Sequence, residues 1–142
     1  MDFLDIKCLW PDNTMNYWTS KNIKLAPGTS LKIISDAEKI LSFIFPYSFK
    51  LLYQKVNGFV DNNSDENMIS VWPIDRILEE YGRYPKFVGF SDFLINSHVY
   101  GFLKNRPGIF KNYDLADPHI EKIAETFEDA IGLINTNSDL LY

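Results

Sequence analysis

The residues able to do chemistry are few and scattered. Cys8 is the single cysteine among 142 residues. No intrachain disulfide and no cysteine-type zinc site can form from it. Only Lys7 flanks it as a base, so a packed thiol is expected rather than a nucleophile. The two histidines are His98 and His119. His119 follows Asp117-Pro118, but Asp117 is read as a helix cap. Two histidines with no placed acid do not make a three-ligand zinc site. Ser97 and His98 are adjacent on an expected strand, so their side chains point to opposite faces and cannot pair directly. His98 is expected at a strand start with its ring hydrogen-bonded.

Asp61, Asn63 and Asp65 alternate as in a calcium loop. Glu66 then stands where that loop needs glycine, and Trp72 where it needs a chelating glutamate. A solvated loop is the better reading. No spacing singles out a glycosidase-type carboxylate pair, and no glycine pattern with a lysine–hydroxyl pair makes a phosphate loop. Trp10 and Trp72 are expected in the core rather than as partner anchors. No cofactor, metal or catalytic residue is expected.

Charge is the stronger signal. The net charge is -5 and is unevenly spread. Residues 61–80 hold six acids against Arg76, and residues 114–142 hold seven against Lys122. Residues 81–113 hold five bases against Asp92. Such a balance disfavours direct nucleic-acid binding. Acidic segments instead suit a basic protein partner, speeding encounter and excluding wrong ones. No run approaches the ~20 apolar residues of a spanning helix. The opening residues lack a basic start and an apolar stretch, so the expected location is the cytoplasm, with no membrane partner.

The elements that must position these residues follow from periodicity. Phe3-Leu4-Asp5-Ile6-Lys7 and Ile23-Lys24-Leu25 suggest short strands in an N-terminal extension, residues 1–34, held on the body by Trp10, Tyr17 and Trp18. Ser35-Asp36-Ala37-Glu38 reads as a capping box opening a helix. Pro46 suits the first turn of a second helix, and Asn57-Gly58 its end. Strands are expected over 68–72, 86–90 and 98–103, with a short helix over 74–81. A turn at Asn105-Arg106-Pro107-Gly108 leads to a partner strand over 109–111. A closing amphipathic helix is expected from Asp117, with Pro118 in its first position and Ile120, Ile123, Ala124, Phe127, Ala130, Ile131 and Ile134 on one face. The sum is one α+β domain with a largely antiparallel sheet.

Several segments in this order resemble the SUKH superfamily. Phe45-Pro46-Tyr47-Ser48-Phe49-Lys50-Leu51-Leu52-Tyr53-Gln54-Lys55-Val56-Asn57-Gly58 is similar to its proline-started helix and asparagine–glycine turn. Met68-Ile69-Ser70-Val71-Trp72-Pro73-Ile74-Asp75-Arg76-Ile77 is similar to its next strand and helix. Phe87-Val88-Gly89-Phe90-Ser91-Asp92 and His98-Val99-Tyr100-Gly101-Phe102 resemble its central strand pair, and residues 123–131 its closing helix. Phe59 stands where the family often has a second glycine, and residues 1–34 have no counterpart. The resemblance assigns residues 35–142 to the domain. It implies an immunity protein, not an enzyme, that neutralises a cognate toxin, often a nuclease. Membership in a fungal branch would imply a regulatory scaffold with several cellular partners. The family supplies no catalytic residue and no shared binding residue. On charge alone, partner contact is expected at Asp61, Asp65, Glu66, Glu79 and Glu80.

Overall fold

A computed structural model describes residues 3–60, 63–113 and 120–142, with side chains from residue 9 onward. The expected α+β fold is present. The elements run α1 (Phe3–Ser20), β1 (Leu25–Pro27), α2 (Leu31–Leu41), α3 (Tyr47–Lys55), β2 (Val56–Phe59), β3 (Ile69–Val71), α4 (Ile74–Tyr81), β4 (Phe87–Phe93), β5 (His98–Leu103), β6 (Arg106–Asn112), β7 (Ile120–Ala124) and α5 (Phe127–Asn135), closed by a short 3-10 turn, Asp139–Leu141. β3 to β7 form one antiparallel sheet in sequence order, and β1 pairs with β2 in a second, small one.

The core is aromatic. Phe49 of α3 stacks on Phe45 at 3.9 Å and on Tyr53 at 4.0 Å. Phe127 of α5 meets Phe49 edge-on at 5.2 Å and Phe90 of β4 at 5.1 Å. One cluster of rings therefore ties two helices to the sheet. Each fully buried ring contributes about 1.5–3 kcal/mol from area alone.

Several expected boundaries are corrected. Phe3 to Lys7 lie in a helix, not a strand. The second expected strand of that region falls two residues later, at β1. The Ser35 capping box does not form. Ser30 is the cap, its hydroxyl accepting the Ile33 N–H at 3.2 Å, and Ser35 lies inside α2. Glu38 is buried and works at the other end of the helix. Its Oε2 accepts the Phe45 N–H at 2.8 Å and faces Lys50 Nζ at 3.3 Å, fixing the turn between α2 and α3. Pro46 sits just before α3, at its cap position.

Asn57-Gly58 does not end the helix but lies in β2. Gly58 adopts φ +69°, and a Cβ there would meet the Trp72 backbone at 2.5 Å. The pair serves a docking contact: Asn57 Oδ1 accepts the Ile74 N–H at 2.9 Å and caps α4. The β5–β6 connection is tighter than expected. Lys104 and Asn105 alone turn the chain, and Arg106, Pro107 and Gly108 already belong to β6.

The closing helix is the largest correction. Ile120–Ala124 is a strand paired to β6, with Ile109 opposite Ala124. The helix begins only at Phe127, capped by Thr126, whose Oγ1 accepts the Asp129 N–H at 3.1 Å. The expected cap at Asp117 and the Pro118 start lie outside the described residues, as does His119.

Candidate functional site

The described acidic residues expected at a partner contact divide between two places. Asp61 lies outside the described residues. Asp65 turns onto its own loop, Oδ1 accepting the N–H groups of Asn67 at 2.8 Å and Ile69 at 3.0 Å. Burial raises its carboxyl pKa above the ordinary value, outweighing those two hydrogen bonds. Glu66 is exposed and faces Lys21 at the end of α1 at 3.8 Å. Glu79 and Glu80 lie elsewhere, along α4, and line an open cleft of about 450 Å³.

That cleft is built by α4 and the β4–β5 turn. Tyr81 and Ile77 bury the inner side of α4, which leaves Glu79 and Glu80 outward. Arg76 holds the two elements together. Its guanidinium lies 4.4 Å from the Trp72 ring centroid, within range of a cation–π attraction. Nη2 donates to Asp92 Oδ2 at 3.0 Å, and Nε reaches Glu80 Oε1 at 3.4 Å. Asp92 is buried, so this pair is shielded from water on the carboxylate side. The same Oδ2 accepts the Asn96 N–H at 2.9 Å, pinning the turn.

The turn itself is strained. Leu94, Ile95 and Asn96 follow one another at φ 51°, 49° and 68°, and Met68 alongside has φ 66°. For residues with a side chain the left-handed region costs roughly 1–2 kcal/mol each. The Asp92–Asn96 bond, Leu94 N–H to Met68 O at 3.0 Å and Ser97 N–H to Phe93 O at 3.0 Å hold it in place. The outcome is that Ile95 is 83% exposed, with Leu94 and Met68 half-exposed beside it. Two exposed apolar side chains, Ile95 and Met68, thus rim a cleft whose charged groups, Glu79, Glu80, Asp92 and Arg76, sum to two net negative charges.

Charge counting assigned Glu79 and Glu80 to a partner surface, counted Arg76 and Asp92 without giving them a place in it, and did not reach Ile95. The available signal was local: Leu94-Ile95 sits between two strands where a turn would normally carry glycine or polar residues.

A second cavity lies at the other end of β5. It is a groove of about 780 Å³ between the α2–α3 turn, the β5–β6 hairpin and the β7–α5 junction. Phe43, Leu51, Phe102 and Phe127 floor it, and Trp10 closes one side. Trp10 is therefore partly buried at a rim, whereas Trp72 is fully buried as expected.

The chemistry-bearing residues stay apart. His98 heads β5, but its Nδ1 finds no hydrogen-bond partner among the described residues, against expectation. Its ring packs between Phe93 and Tyr113. Ser97 gives its hydroxyl to Leu94 O at 3.3 Å. Among the described residues no three of histidine, cysteine, aspartate and glutamate converge to hold a metal ion. No described helix is long and apolar enough to cross a membrane. Compared with known proteins, the chain matches no family model and no curated sequence.

Proposed function

We propose that the chain is an immunity-type protein that binds a basic protein toxin of its own cytoplasm and neutralises it sterically and electrostatically, through the α4 cleft. The observation that supports this reading is Ile95, held outward on a strained turn directly beside Glu79 and Glu80. Backbone strain persists where surrounding contacts impose it, and it clusters at functional sites. An exposed apolar anchor beside a net negative cleft suits a protein surface: the apolar residue slows dissociation and the charges speed encounter. A cationic nuclease-like domain has the matching chemistry. Asp65 and Glu66, turned toward their own loop and α1, play no part in this cleft.

The second reading is a regulatory scaffold with several cellular partners. What favours it is the separate apolar groove at the far end of β5, which gives the chain two unlike surfaces. Tagged protein retrieved from its own cells separates the two. One stoichiometric partner with a toxin domain supports immunity; many weak partners support the scaffold. With that partner in hand, Glu79→Lys should lower the association rate about tenfold at low salt and flatten its salt dependence. Ile95→Ala should raise the dissociation rate. A partner whose kinetics ignore both changes would remove the cleft from the mechanism.

A further inference from the structure

The 780 Å³ groove is floored by apolar side chains, and its rim projects as well as recedes. Ile44, in the turn that Glu38 fixes to the body, is 70% exposed, and Tyr47, which opens α3, is 73% exposed. On the outward side of α2, Ile33 and Ile40 are also exposed and lie seven residues apart, hence on one helix face. Ile44 and Tyr47 thus project from the rim of the groove that they line. Patches of this kind on a soluble domain mark interaction sites.

The charges around the groove indicate the occupant. The β5–β6 hairpin contributes Lys104 and Arg106, and the β7–α5 junction contributes Glu125 and Glu128. Lys104 Nζ donates to Leu41 O and Glu125 pairs with Lys122 at 2.7 Å. Arg106 and Glu128 enter no ion pair among the described residues, although both line the groove. A basic peptide would meet the two cations unmatched, and an anionic amphiphile would meet the two carboxylates. A surface with one unpaired charge of each sign beside projecting apolar side chains can match a two-fold copy of itself, because in such an interface each residue contact occurs twice, reciprocally.

We infer that this groove is the contact face of a homodimer, with Tyr47 and Ile44 of each copy seated in the groove of the other and Arg106 of each facing Glu128 of the other. The interface lies at the Leu103 end of β5, and the acidic cleft lies at the His98 end, so both clefts remain open in the dimer. The inference does not depend on what the cleft binds.

Sedimentation velocity across a wide concentration series tests it. The wild-type chain should sediment as two copies. Tyr47→Asp, at an exposed position, should weaken self-association at least a hundredfold while far-UV circular dichroism stays unchanged. Arg106→Glu alone should do likewise, and Arg106→Glu combined with Glu128→Arg should restore the dimer, since both reciprocal pairs are then reversed. A wild-type chain that stays monomeric across the series overturns the inference. So does a dimer indifferent to Tyr47→Asp, or an Arg106→Glu dimer that Glu128→Arg fails to restore.

Discussion

His98 is a residue whose environment, more than its type, decides its behaviour. The ring stands 5.4 Å from Phe93 and 4.6 Å from Tyr113. Lys111 is only 2% exposed and sits behind it, its Nζ donating to Tyr142 O at 2.9 Å. Burial first, then the Lys111 charge, holds the imidazole pKa below its usual value. The folded state therefore favours neutral His98. Its contribution is complete above the unfolded pKa of about 6.5 and is lost as pH falls toward the folded one. His98→Phe keeps the aromatic packing and removes the proton site. The variant should lose less stability than wild type between about pH 7 and pH 5. Urea midpoints at the two pH values check this, and an equal loss in both proteins would contradict it. The sequence made His98 legible as a strand start. It could not reveal the missing Nδ1 partner, because Phe93, Lys111 and Tyr113 reach the ring only through strand pairing.

At the scale of elements, local signals located most pieces and misjudged ends wherever two signals overlapped. α4 and β5 coincide with their expected bounds, since Pro73 and Gly82 enclose a clean apolar period in the first and polar turn residues flank an apolar run in the second. The segment from Ile120 to Ile134 does not, because its apolar residues fit one helical face across a break. The competing signal was present: Thr126-Phe127-Glu128-Asp129 has a capping residue and two acids in the first turn. What favours a strand before it is β6, whose Phe110 and Lys111 pair with Lys122 and Glu121, and that long-range partner leaves no mark in the local period. The cap has a measurable consequence. Thr126→Ala leaves the Asp129 N–H without its hydroxyl and should cost about 1 kcal/mol of unfolding free energy. Urea titration with an unchanged slope would read this as a shift in midpoint. A loss near zero would mean that Glu128 and Asp129 hold the helix start unaided.

For the whole molecule, the open question raised by the sequence is whether residues 1–34 are an appendage. Trp18 bears on it directly. The side chain is 1% exposed, meets Phe59 of β2 edge-on at 5.0 Å, and donates Nε1–H to Asn135 Oδ1 at 2.7 Å at the end of α5. Tyr17 reaches the same residue, its hydroxyl donating to Asn135 O at 3.0 Å. The first helix thus binds the last one and the small sheet through Trp18, and Trp10 meets Phe127 of α5 edge-on at 6.1 Å. The sequence named Trp10, Tyr17 and Trp18 as packing residues but not their targets, of which Asn135 lies 117 positions from Trp18. Trp18→Ala leaves a void the size of an indole among residues that cannot all collapse into it. It also strands the Asn135 amide oxygen. Losses of about 3–5 kcal/mol accompany such deletions, a large share of the roughly 5–15 kcal/mol that a domain possesses. If α1 is integral, the variant should unfold in one transition at much lower urea, with Phe49 and Phe127 losing their packing together. If α1 is an appendage, it would instead detach in a separate early step while the sheet's own midpoint stayed put. Tryptophan fluorescence, with Trp10 and Trp72 still present, and far-UV circular dichroism followed on the same samples would distinguish the two.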